Sequence, residues 1–156
     1  MRRNAMLILM VLVAAASASG SASAQQRKPA GWIADPQSGC RAWNPSPSED
    51  EKITWAGPCV NGFLHGKGVL RWFSKEVLYE TDEGEFRNGK LNGQAILSFT
   101  SGTRFEGQFR DQIPNGQGTY RAKDGQIYSG QWTNGCFNQG GRQMSYNVSR
   151  QSCGFP

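Results

Sequence analysis

FEGQFRDQIPNGQGTYRAKDGQIYSGQWTNG, residues 105–135, is the stretch that decides the fold. Phe105, Gly107 and Phe109 alternate, and so do Tyr128, Gly130 and Trp132. Residues two apart share one face of a strand. Each triplet therefore sets large rings and a bare backbone position side by side. Gly116, Gly118 and Tyr120 continue the alternation on a strand between them. Glycine weakens a strand interior unless another group must approach the backbone closely. The rings are that group: a ring from one strand is expected to lie over the bare backbone of its neighbour.

The same glycines recur outside this stretch. Gly57, Gly84, Gly107 and Gly130 are spaced by 27, 23 and 23 residues, within TWAGPC, TDEGEF, RFEGQF and IYSGQW. Gly62, Gly89 and Gly135 follow their anchors by five residues, and Gly66, Gly93 and Gly116 by nine. Gly68 and Gly118 follow by eleven, with Ala95 in the equivalent place, and Gly102 and Gly125 by eighteen. A fixed period of this length marks a repeat architecture. The second strand of each copy alternates too: Gly66, Gly68, Leu70, Trp72; then Gly93, Ala95, Leu97, Phe99. Asn88-Gly89, Asn115-Gly116, Asp124-Gly125 and Asn134-Gly135 supply the positive-φ residues that tight turns require. Each copy is thus expected to be a β-hairpin, and the copies to stack in line.

These phrases resemble the MORN repeat family, whose core reads Tyr-x-Gly-x-Trp, then Asn-Gly, then His-Gly-x-Gly, then an Asp-Gly turn. FEGQF…NGQGTYRAKDG (105–125) and IYSGQWTNG (127–135) are the best copies, with EGEFRNGKLNGQA (83–95) and VNGFLHGKG (60–68) supplying the other pieces. The resemblance covers about residues 53–137, as three full copies and a partial fourth. It departs from the family at Asp82, where an aromatic is expected, at Cys59, where Trp or Phe follows the anchor, and at Gln112, where the other copies have Gly. The fourth copy breaks up after Gly135. The fold implied is all-β: an elongated single-layer antiparallel sheet of stacked hairpins with disulfide-linked end caps. The function implied is protein–protein contact or membrane-proximal assembly, with phospholipid binding a further property linked to the family.

The ends of the chain have a different character. Met1-Arg2-Arg3-Asn4, the apolar run from Ala5 to Ala16 and the small-residue stretch closing on Ala22-Ser23-Ala24 form the three-part layout of a signal peptide over 1–24. The apolar run is shorter than the roughly 20 residues of a membrane-spanning helix. Export to the periplasm or the extracellular space is expected, and the Ala-rich cleavage region leans bacterial. The net charge is +5, of which Arg2 and Arg3 carry two. The remaining basic residues are scattered rather than striped, so nucleic acid is not an expected partner. The expected layout is a linker and N-terminal cap over 25–52, repeats over 53–137 and a C-terminal cap over 138–156. Trp32 and Trp43 belong to the first cap.

Cys40, Cys59, Cys136 and Cys153 follow the predicted leader, and an even count there reads as two disulfides. The sequence alone leaves three pairings. With two strands per copy at roughly 4.8 Å each, three copies separate Cys59 from Cys136 by roughly 30 Å, far beyond the reach of a disulfide. Stacked repeats therefore favour Cys40 with Cys59 and Cys136 with Cys153.

No reacting constellation is visible. His65 is the sole histidine and stands where the family has His before Gly, a turn position. The cysteine spacing does not suit zinc. Gly66-Lys67-Gly68 lacks the spacing and the Ser or Thr of a phosphate loop. Glu83 and Glu106 precede their anchors by one residue and so alternate away from the rings. Neither a catalytic residue, a metal nor a cofactor is expected. Phe86, Phe109 and Trp132 fall in one column, and Trp55, Phe105 and Tyr128 in another. Their first role is the repeat core. Trp72, Phe86, Phe99, Phe105, Phe109, Tyr120, Tyr128 and Trp132 are also the candidate binding face, for an unidentified protein partner, a membrane or an envelope component. The alternative function is an envelope carbohydrate binder that stacks sugars on this face. The first copy carries four extra residues within SKEVLYETD (74–82), whose apolar tip Val77-Leu78-Tyr79 is either a longer packed hairpin or a protruding contact element. Asn147-Val148-Ser149 has the form of a glycosylation acceptor, meaningful only in a eukaryotic secretory pathway.

Overall fold

A computed structural model describes residues 29–156. The predicted leader, 1–24, lies outside the described residues. Thirteen strands follow in chain order: β1 (Gly31–Ala34), β2 (Arg41–Asn44), β3 (Glu51–Ala56), β4 (Cys59–Val60), β5 (Phe63–Leu64), β6 (Gly66–Ser74), β7 (Val77–Arg87), β8 (Lys90–Phe99), β9 (Arg104–Arg110), β10 (Ile113–Arg121), β11 (Ile127–Trp132), β12 (Cys136–Gln139) and β13 (Arg142–Ser145). A single 3₁₀ turn, Gln151–Cys153, ends the chain, and the described residues contain no α-helix. None of them forms a helix long and apolar enough to cross a membrane.

The centre is a seven-stranded antiparallel sheet ordered β11-β10-β9-β8-β7-β6-β3. From β6 to β11 it is a meander, so consecutive hairpins lie side by side as the glycine period implies. Three of the five turns in this meander are two-residue loops in which both residues take positive φ: Lys75-Glu76, Asn88-Gly89 and Asp111-Gln112. Their hand matches the twist of the strands they join. Gln112 takes the glycine's place with φ 72°, and its Oε1 accepts the Leu91 N–H at 3.0 Å. That buried hydrogen bond offsets the strain of a left-handed non-glycine residue. Asn115-Gly116, expected to be a turn, is inside β10. The register slips between Pro114 and Gly118, and Gly116 absorbs the resulting bulge with φ 133°. The turn of that copy is Asp111-Gln112 instead.

The bulges bend the hairpins, so their turns form a second hydrogen-bonded row. Gly89 N–H donates to the Leu64 carbonyl, Gln112 to Leu91 and Gly135 to Pro114, at 2.9–3.0 Å. The N-terminal cap joins this row through Arg41 to Gly62 and Trp43 to Gly89, and the C-terminal end through Tyr146 to Gly135. The caps thereby satisfy backbone groups that an open row would leave unpaired.

The first cap is a four-stranded sheet ordered β1-β2-β5-β4, and the last is the hairpin β12-β13. Cys40–Cys59 (Cα–Cα 5.9 Å) and Cys136–Cys153 (5.6 Å) fasten them, the pairing that stacked repeats favour. The extra residues of the first copy lengthen β6 and β7 around the tight Lys75-Glu76 turn. Val77 is 68% exposed at the tip, whereas Leu78 and Tyr79 are half-buried. The segment is a longer hairpin packed on its neighbours.

Candidate functional site

The rings lie on the glycines. A Cβ built on Gly118 would come within 3.0 Å of Phe105 and 3.2 Å of Trp132, and one on Gly68 would meet Trp55. Of the eight residues of the expected binding face, Trp72, Phe86, Phe105, Phe109 and Trp132 are buried. Phe105 packs on Phe109 and Trp132 with centroids 5.0 Å apart, and Trp55 packs on Phe86 at 4.9 Å. These contacts tie one predicted column to the other. Phe99, Tyr120 and Tyr128 remain half-buried at the margin of the packed rings. Glu83, Glu85 and Glu106 are exposed, as their alternation requires.

The core is incomplete at one place. A cavity of about 190 Å³ opens between the loop after β2 and the segment after β13, where the caps approach from opposite ends. Glu51, Glu80 and Asp82 face it with Trp72, Tyr79, Phe99 and Tyr146, and none of its lining residues is basic. The lengthened β7 carries this chemistry. Trp72 pairs with Glu80 and Phe73 with Leu78, so Tyr79 is the extra residue of a β-bulge. Bulges re-aim side chains, and here Tyr79 and Glu80 both reach the cavity that Asp82 enters. Asp82 is 1% exposed; its Oδ2 accepts the Trp72 indole N–H at 2.9 Å, and its Oδ1 has no donor. Tyr79 donates its hydroxyl to Glu51, and the Asn44 amide donates to the other Glu51 oxygen.

Burial raises the pKa of both Glu80 and Asp82, and the Asp82 charge raises Glu80 further. The Trp72 hydrogen bond draws Asp82 back towards the charged form. Burial also raises Tyr79 and Tyr146, so both remain neutral hydroxyls.

The repeat geometry agrees with the comparison to known families. The MORN repeat pattern matches at residues 60–76, 83–104, 105–127 and 128–135. The chain carries MORN repeats. MORN repeats are generally binding or scaffold modules rather than enzymes. Among curated proteins the chain finds no match.

A second feature lies where the first MORN repeat meets its cap. Trp32 is 44% exposed and packs edge-on against Trp43 (5.1 Å) and Phe63 (4.8 Å). The Arg41 guanidinium sits 4.2 Å from the Phe63 ring centroid, and Lys90 5.0 Å from that of Trp43. Asn61, Arg87, Asn88 and Asp111 complete a shallow hollow beside Trp32 and Phe63. Sequence reading placed Trp32 in the cap without its exposure, because the alternation of four residues in β1 does not reveal what covers them. His65 links β5 to β6, its backbone N–H donating to the Pro58 carbonyl at 3.0 Å. The cleft acids escaped sequence reading as well. The signals were there: four extra residues, and an acid at an aromatic position.

Proposed function

We propose that this MORN protein is an exported, non-catalytic binding and scaffold module of the periplasm or extracellular space. It makes protein–protein or membrane-proximal contacts, with a linker and N-terminal cap at 25–52, a repeat body at 53–137 and a C-terminal cap at 138–156. The observation that carries the contact is the corner at Trp32. A large ring stands exposed beside Arg41, Arg87 and Lys90, on a molecule whose other tryptophans are covered or half-covered. Aromatic and arginine side chains are the commonest energetic anchors of interfaces. Export is supported by the predicted leader and by two disulfides, which persist in oxidising compartments. The margin of the aromatic face, Phe99, Tyr120 and Tyr128, is the part of the expected binding face with surface left to offer.

A photo-crosslinking residue at position 32 tests this in the native envelope, with position 123 as an exposed control. A discrete protein or lipid adduct at 32 and none at 123 is expected. Equal labelling at both positions would remove the corner from the account.

One observation favours carbohydrate as the second reading: Trp32 stands beside Asn61, Asn88 and Asp111, a ring with polar neighbours suited to a sugar face. Retention of the wild type on purified envelope polysaccharide, lost in folded Trp32→Ala, would select it.

A further inference from the structure

We propose that the cleft between the two caps is a binding site for one alkylammonium or alkylguanidinium group. Glu51, Glu80 and Asp82 would meet its charge, and the rings of Tyr79, Phe99 and Tyr146 would enclose its stem. This site uses residues apart from the Trp32 corner, so either proposal can fail alone.

Charge gives the first reason. Three carboxyls line the cavity with no Lys, Arg or His among them. A cationic occupant is therefore attracted, and an anionic one repelled, in a setting poorer in water than the surface. Hydrogen bonding gives the second. Asp82 is almost wholly buried, and the folded chain supplies Trp72 as the donor to one oxygen only. A buried acceptor without a donor is costly. An ammonium brings three N–H donors and a guanidinium five. Shape gives the third. A water needs about 10–15 Å³ of such space, so about 190 Å³ admits an alkyl stem with its charged head. Aromatic walls suit that stem and attract the cation through their faces.

Burial holds the Glu80 and Asp82 carboxyls towards the protonated form. An ammonium entering the site displaces a proton, so binding is coupled to proton release. The titratable groups facing the cleft are Glu51 from β3, Tyr79, Glu80 and Asp82 from β7, and Tyr146 from the last cap. The tyrosines stay neutral, and no basic group competes. Affinity for the cation should therefore rise with pH as the two carboxyls become easier to ionise. The cation has two possible sources, a lysine or arginine side chain of a protein and a small free amine.

The Trp72 indole N–H, bonded to Asp82, reports on the site by ¹H–¹⁵N NMR of the full chain with its disulfides intact. The probes are N-acetyl-lysine methylamide, its Nε-acetylated neutral analogue, and cadaverine. Either cation should shift the Trp72 resonance saturably, more tightly at pH 8 than at pH 6, and the neutral analogue should not. The tighter cation identifies the source: blocked lysine a protein side chain, cadaverine a free amine. Glu80→Gln should weaken binding at least about tenfold, as loss of a desolvated charge partner does. Asp82→Asn should do the same where it folds; if it does not, Glu80→Gln decides. No shift with either cation, an equal shift with the neutral analogue, or unchanged affinity in folded Glu80→Gln would overturn the proposal.

Discussion

Trp72 on β6 donates its indole N–H to Oδ2 of Asp82 on β7 at 2.9 Å, with both side chains buried. The pair explains how an acid holds a position that the repeat pattern gives to an aromatic. The ring comes from the neighbouring strand, and the acid gives its N–H a partner. Trp72→Phe keeps most of the apolar contact and removes the donor. It should cost about 1.5–3 kcal/mol, the range for a hydrogen bond to a charged group. Urea unfolding at pH 7 measures it, and Asp82→Asn, which keeps an acceptor for the indole, should cost less.

The Glu80–Asp82 pair makes a pH prediction whose sign is fixed. Both carboxyls titrate higher in the folded protein than in the unfolded chain, where they titrate near pH 4. Above that value the unfolded chain releases protons that the folded chain retains. The contribution of the pair is thus fully present below about pH 4 and is lost as pH rises through the raised folded values. Unfolding curves from pH 5 to pH 9 should show stability falling. Glu80→Gln should be more stable than the wild type at pH 8 and should flatten the profile. A wild type that gains stability over this range through Glu80 would contradict the assignment.

The C-terminal disulfide closes a separation of 17 residues. Replacing Cys136 and Cys153 together with Ser should cost about 3 kcal/mol by loop-closure entropy. It should also loosen Tyr146 from Phe105 and Phe137 from Trp132, which pack with centroids 5.3 Å apart in each pair. Denaturant midpoints read the first effect, and quenching of Trp132 fluorescence the second. Non-reducing peptide mapping should find 136 joined to 153 and 40 joined to 59.

What could be read from the sequence follows from periodicity. Gly107, Gly118 and Phe105 repeat a spacing that only stacked strands satisfy, so the meander, the ring-on-glycine contacts and the cysteine pairing were legible. Features that break the period were not. Asp111-Gln112 makes a hairpin turn without glycine, and Gln112 compensates through a contact 21 residues away in sequence. Asn115-Gly116 reads as a turn because Asn-Gly is the usual turn pair, whereas a bulge places it in a strand. Glu80 reaches the cleft only because Tyr79 bulges, and the cleft exists only because the two caps stop short of each other. The four extra residues within 74–82 mark the bulge, but the gap between the caps has no local sequence signature.

The central claim is that rings packed on bare backbone hold the hairpins together, and a double-mutant cycle between Phe105 and Gly118 tests it most directly. Gly118 lacks the positive φ of many glycines in this chain, so a methyl group there probes space rather than backbone strain. Gly118→Ala should cost about 1–3 kcal/mol by overpacking, and Phe105→Ala about 3–5 kcal/mol. With the ring already removed, Gly118→Ala should cost at least about 1 kcal/mol less than in the wild type, a coupling expected of residues in contact. Additivity within about 0.5 kcal/mol would mean that the ring does not rest on that glycine, and the account of the fold would fail with it.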